Sequence, residues 1–183
     1  MKPIALSACL ILAACTAADL PDGTPNNEPA SSAGESRPAG SLLHIGPEGA
    51  GGLTASIPFT VQAAERAFPG YDVVSAGEAE APAFHVRPPG SEAPVFIITP
   101  DWSRGFAGAV STGDSAVAGP GGVRAGLTRL GDVPEALTAD CAAPDKTGAY
   151  DLVCAAGSFR LEFKGTGEDA LLARQTWLPP LPQ

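Results

Sequence analysis

Basic residues are scarce in this sequence: Lys and Arg together number 11 against 20 Asp and Glu, giving a formal net charge of −9 over 183 residues. So thin a supply leaves no basic face for a polyanion, which argues against nucleic-acid binding and makes anionic head groups poor partners. Histidine is scarcer still, with only His44 and His85, and neither a CxxC nor an HxxxH spacing accompanies the four cysteines. A zinc centre built on a cysteine pair needs about two further ligands at a usable spacing, so neither a metal nor another cofactor is expected. A long hydrophobic run is missing too. The N-terminal apolar stretch extends from Pro3 to about Ala18, short of the roughly 20 residues that a spanning helix needs.

What is present at the N-terminus has the layout of a secretory signal. Lys2 supplies a positive start, Ile4 to Leu12 an apolar centre, and Ala13 and Ala14 a small-residue cleavage zone. Leu12-Ala13-Ala14-Cys15 resembles the lipobox of bacterial lipoproteins. The resemblance implies that Cys15 is diacylglycerated, that the preceding bond is cut, and that the new amino terminus is acylated. Residues 1–14 are then a signal peptide, Cys9 leaves with it, and loss of Lys2 takes the formal charge to −10. Three acyl chains, at ~0.8 kcal/mol per buried CH₂, attach a protein to a membrane stably where one chain does not. Thr16, rather than Asp, follows the cysteine. By analogy with enterobacterial sorting this points to the outer membrane, with the remainder of the chain in the periplasm of a bacterial envelope.

Residues 16–40 hold four prolines, three glycines and no aromatic residue. They cannot bury enough apolar surface to offset ordering entropy, so residues 15–40 are expected to form a lipidated, disordered tether. A flexible coil of about 25 residues reaches roughly 25 to 30 Å r.m.s., enough to hold a domain clear of the lipid surface. Residues 41–183 are then one globular domain. Cys141 and Cys154 are the cysteines left to it, and an oxidising compartment favours a disulfide between them.

The domain pattern mixes helix and strand. Thr60 reads as an N-cap, Val61, Ala64 and Phe68 share a helix face, and Pro69-Gly70 is a stop. Tyr71 to Val74 turns to strand chemistry. Phe84 and Val86 alternate with His85 and Arg87, while Val95 to Thr99 is a continuous apolar run suited to a strand covered on both faces. Residues 106–118 read as a hairpin around Gly113-Asp114. Leu127, Leu130 and Leu137 suggest a short helix interrupted by Pro134, and Phe159, Leu161 and Phe163 face opposite to Arg160, Glu162 and Lys164. Helix followed by a strand pair thus recurs over residues 60–99 and 127–164, an arrangement compatible with an old duplication. The expected fold class is α+β: a single domain, mainly antiparallel sheet, with one or two short helices packed on one face.

No coherent catalytic set emerges. Asp101-Trp102-Ser103-Arg104-Gly105 is one glycine short of a G-x-S-x-G nucleophile elbow, continues into strand-like sequence, and has both histidines upstream. It reads as a turn after a strand, with Trp102 partly exposed. Residues 165–170, GTGEDA, match a dinucleotide fingerprint, but too little chain follows for the second strand and its acid. They read as a polar loop before Trp177. GPGGVR, residues 119–124, lacks the Lys-Ser/Thr of a phosphate loop. Glu78 and Glu80 read as residues of a mobile surface loop, and the terminal LPPLPQ as a rigid tail over a sheet edge.

The order IGPEG, IPFTVQAAERAFPGYDVV, VRAGLTRL, then Cys141, LVC and FRLEFKG is similar to that of the RpoE-regulated outer-membrane lipoprotein family, whose function is not established. The resemblance covers roughly residues 42–178. It implies an α+β domain, a lipid anchor and a link to envelope stress, and it supplies no catalytic residues. The leading expectation is therefore a non-catalytic, lipid-anchored binding or structural module of the envelope. Its partners would be membrane lipid through Cys15 and an envelope protein or cell-wall component, with Trp102 and Arg104 as the candidate partner surface. The competing expectation is a small periplasmic hydrolase using Ser103 and His85; a third is a structural or inhibitory module with a pseudo-repeated sheet.

Overall fold

A computed structural model describes residues 42–144 and 148–180. The signal, Cys15, the linker and the last three residues of LPPLPQ lie outside the described residues. Along the chain come β1 (Ile45–Gly46), β2 (Gly49–Ala50), α1 (Val61–Ala67), β3 (Asp72–Glu78), β4 (Ala81–Arg87), β5 (Phe96–Pro100), β6 (Ala107–Thr112), β7 (Cys141–Ala142), β8 (Leu152–Ala156), β9 (Phe159–Lys164) and β10 (Leu171–Trp177). β1 and β2 form a small hairpin. The other eight strands form one antiparallel sheet in the order β3-β4-β5-β6-β10-β9-β8-β7.

That order is two four-stranded meanders, β3 to β6 and β7 to β10, joined through their last strands. The final strand therefore lies in the middle of the sheet, between β6 and β9. The symmetry extends to detail, because the β5–β6 and β9–β10 ladders each carry a register shift. It does not extend to helix. Where a second helix is expected, the chain makes two three-residue 3₁₀ turns, Leu130–Asp132 and Glu135–Leu137, with Pro134 between them. Proline has no N–H to give to a helix and disfavours helical backbone in the residue before it. The recurring unit is thus a meander, and the fold has one α-helix among the described residues.

Pairing register assigns the two faces. Phe84 stands opposite Ile98, Ile98 opposite Val110, Val110 opposite Trp177, and Trp177 opposite Phe159. Phe84 is nearly buried and the other four are fully so, so this row runs through the core. Alternation puts Val86, Phe96, Leu161, Phe163 and Cys154 on the same side. α1 closes this side near β3, β4 and β5: Phe59 stacks on Phe84 with centroids 4.2 Å apart, and Phe68, the helix C-cap, meets Phe96 at 5.3 Å. Thr60 caps the helix as expected, accepting from the Ala63 N–H at 3.3 Å. The β1–β2 turn covers the far part, where the Pro47 carbonyl accepts from the Trp177 indole and the Ser158 hydroxyl.

Among the described residues the opposite face is only partly covered, and this corrects the expectation for Val95 to Thr99. Phe96 and Ile98 are buried, but Ile97 points to the open face and is only half-buried. The expected hairpin at Gly113-Asp114 is also absent. Asp114 makes a tight turn, accepting from the Ala116 and Val117 N–H groups, but the chain then leaves the sheet to pair Ala118 with Leu43 and Ile45. β6 takes its second neighbour from the end of the chain instead. Glu78 ends β3 and Glu80 lies in the turn to β4, so the segment assigned to a mobile loop is a hairpin.

Candidate functional site

The loop from β5 to β6 carries the residues singled out in DWSRG. Its backbone is closed by the Asp101 N–H donating to the Phe106 carbonyl at 2.8 Å and by the Arg104 N–H donating to the Asp101 carbonyl at 3.1 Å. The Asp101 carboxylate accepts from the Ser103 hydroxyl at 2.9 Å and from the Phe106 N–H at 3.3 Å, and the Ser103 hydroxyl accepts from the Gly105 N–H at 3.1 Å. Arg104 has φ = 60°, a left-handed conformation that side chains rarely adopt. Its guanidinium holds that position by donating to the carbonyls of Ala79 and Glu80 in the β3–β4 turn, both at 3.1 Å. Beneath the loop, Gly108 packs so closely that a Cβ there would lie 2.5 Å from the Asp101 Cα.

The product of this scaffolding is the display of Trp102, which is 89% exposed. Arg104, expected to share the partner surface, is exposed beside Trp102, and its guanidinium fixes the loop against the neighbouring hairpin. That link joins residues 24 and 25 apart in sequence and has no local signature.

Ser103 and His85 are not brought together. His85 stands opposite Ile97 on the open face of β4, where its Nδ1 lies 3.3 Å from the Arg87 guanidinium. Ser103 lies beyond the other end of β5, past Pro100, with its hydroxyl engaged by Asp101 and Gly105. Burial first, and the Arg87 charge second, hold the His85 pKa below its ordinary 6.5. The described residues contain no group of three or more potential metal ligands. One open depression of about 310 Å³ lies between residues 52–58 and α1, and another of about 380 Å³ borders the β1–β2 hairpin. Neither is lined by Trp102, Ser103, Arg104 or His85.

A second organised cluster lies on the open face. Arg174 on β10 and Glu162 on β9 are in register and form a paired ion contact, with Nη2 to Oε1 at 2.7 Å. The Arg174 guanidinium also sits 4.6 Å from the centroid of the Tyr150 ring. The Glu162 hydrogen bond raises the Arg174 pKa further. The sequence pattern marked Glu162 as outward-facing but did not assign Arg174 to a strand. At the sheet end, Cys141 and Cys154 stand directly opposite each other and are disulfide-bonded.

Among solved structures, the chain is similar to the crystal structure of the uncharacterized protein YfeY from Escherichia coli. The TM-score is 0.54 and the identity 18%, over 74% of this chain and 99% of that one. The two share a fold. No family model and no curated protein matches the chain.

Proposed function

We propose that this chain is a lipid-anchored binding module of a bacterial envelope, held through acylated Cys15 at the outer membrane with its domain in the periplasm. In this reading it belongs with the RpoE-regulated lipoproteins and serves envelope homeostasis without catalysis. The lipobox and the Pro/Gly-rich linker support the anchor, and the fold shared with an E. coli protein supports a bacterial setting. One observation carries the binding role: Trp102 is held almost fully exposed by a loop whose backbone, carboxylate and guanidinium are all committed to fixing it. A rigid, solvated tryptophan is costly to leave in water and is a frequent anchor of interfaces, because its ordering entropy is already spent before binding. The hydrolase reading has no such support, since Ser103 and His85 face different neighbours.

Two measurements test this. Intact mass of the membrane-extracted chain should show a triacylated N-terminal Cys15, and Cys15→Ser should release the protein from the membrane. A photo-crosslinker placed at Trp102 in cells should give a discrete adduct that is absent when the crosslinker sits at Gly90 in the β4–β5 turn. An unmodified Cys15, or identical adducts from both positions, sinks the corresponding half of the reading.

A further inference from the structure

The two edges of the sheet are built differently. β7, at one edge, is a two-residue strand tied to β8 by the Cys141–Cys154 disulfide and followed shortly by Pro144. Short length and nearby proline blunt an edge against pairing with another chain. β3, at the other edge, is seven residues long, contains neither proline nor lysine, and pairs on one side with β4 and on the other with no strand among the described residues.

Which groups β3 presents outward follows from its ladder. The Val86 carbonyl accepts from the Val95 N–H at 2.9 Å, so Val86 addresses the β5 side. Backbone groups alternate along a strand, so His85 and Arg87 address β3, where they pair with Val74 and Asp72. The N–H and C=O groups of Val73 and Ser75 therefore point away from the sheet. Gly77, with φ = 83°, turns the end of the strand, so the flat pairing run is Asp72 to Ala76. Ser75 is exposed and Val74 is 38% exposed, an uncovered apolar side chain on the edge itself.

Charge selects the occupant. Asp72 stands at one end of the run, Glu78 and Glu80 at the other, and none of the three forms an ion pair among the described residues. A second copy aligned antiparallel about Ser75 sets Asp72 against Glu78 twice, between chains that each carry a formal −10 once Lys2 is lost with the signal. Like charges opposite each other in a sheet destabilise it, and opposite charges stabilise it. We propose that β3 is a strand-addition site for an extended peptide segment of another protein, with β-branched residues at its centre and Lys or Arg at both ends. Main-chain pairing to Val73 and Ser75 supplies the attachment, and the flanking cations supply the selectivity. The Arg104 clamp fixes the β3–β4 turn and thereby the acidic end of the edge.

The proposal rests on the reading of the chain as a binding module and names its partner's chemistry. The test uses the full lipidated chain in detergent micelles and a capped peptide with the core Val-Thr-Val-Thr-Val between Lys-Lys pairs. A control peptide carries Glu in place of every Lys. NMR-detected amide exchange at Val73 and Ser75 should slow at least tenfold with the lysine peptide, which should bind at least tenfold tighter than its glutamate counterpart. Ser75→Pro removes one outward N–H without touching the β4 ladder and should abolish the protection, while β4 and β5 amides report that the sheet is intact. Asp72→Lys combined with Glu78→Lys should invert the preference between the two peptides, independently of the proline variant.

Absence of protection at Val73 and Ser75 with either peptide overturns the proposal. So does equal binding to the Ser75→Pro protein, or protection that rises with protein concentration alone and so identifies a second copy as occupant. A discrete adduct at Trp102 together with a failed titration would remove the edge site and leave the binding role standing.

Discussion

Arg174 and Glu162 face each other across neighbouring strands at the centre of the open sheet face, and each is the other's ionic partner. Glu162 is 9% exposed, so its carboxylate depends on that partner more than a surface acid does. Arg174→Met should cost about 1–3 kcal/mol, because it leaves a largely desolvated anion with the Thr176 hydroxyl, 3.4 Å away, in place of its charged donor. Replacing both residues with methionine should cost less than replacing Arg174 alone, since an apolar pair of similar volume leaves no buried charge behind. Urea denaturation of the two single variants and the double variant decides this; a double variant that is the sum of the singles would refute the coupling.

The disulfide should stabilise the β7–β8 end. Cys141 and Cys154 are 13 residues apart, and the chain-entropy model gives about 3 kcal/mol for a loop of this size. Cys141→Ala with Cys154→Ala should lower stability by that order and should expose the β8 amides to exchange before those of β6 and β10. Cys154 is fully buried, so a dithiol reductant should act slowly on the native protein and quickly in denaturant, as followed by thiol labelling.

His85 gives a pH dependence with a definite sign. Its folded-state pKa lies below the ordinary 6.5 through burial and the nearby Arg87, so the fold favours the neutral ring. The associated stability is fully present above about pH 6.5 and is lost as pH falls from there through the lowered value. Melting curves at pH 7.5 and pH 5 should show a larger drop for the wild-type chain than for His85→Asn. Equal drops would place the acid sensitivity elsewhere.

Gly108→Ala probes the Trp102 loop from below. The new methyl carbon would sit 2.5 Å from the Asp101 Cα and 2.6 Å from its nitrogen, both backbone atoms that cannot swing aside. Overpacking of this kind costs about 1–3 kcal/mol. The variant should also loosen the hydrogen bonds of Asp101, visible as faster exchange at the Arg104 and Phe106 amides and as altered Trp102 fluorescence anisotropy. Unchanged loop amides would show that the close approach relaxes elsewhere.

The legible parts of the fold were those whose signals are local. Thr60 and the Pro69-Gly70 stop bracket the helix in seven residues of chain, and the alternation of Phe159, Leu161 and Phe163 fixes the buried face of β9 by itself. β10 was missed for a physical reason: its register shifts between Leu172 and Arg174, which breaks the two-residue period, and the fully buried Gln175 puts a polar residue where the pattern calls for an apolar one. The missing hairpin at Gly113-Asp114 has a different origin: the strand that pairs with β6 is supplied from far along the chain. At the site, Trp102 stood out as a lone large aromatic after the strongest strand. The role of Arg104 lay in a contact with another hairpin, which no local pattern encodes.

The insertion of β10 between the two meanders also sets an order of events. β6 keeps an unpaired edge until Leu171–Trp177 arrives, and that partner begins far along the chain from Thr112, so the contacts that unite the sheet span a long stretch of chain and close late. A chain threaded N-terminus first stays divided until β10 emerges. Truncation ahead of Leu171 would therefore remove the seam of the molecule rather than its fringe.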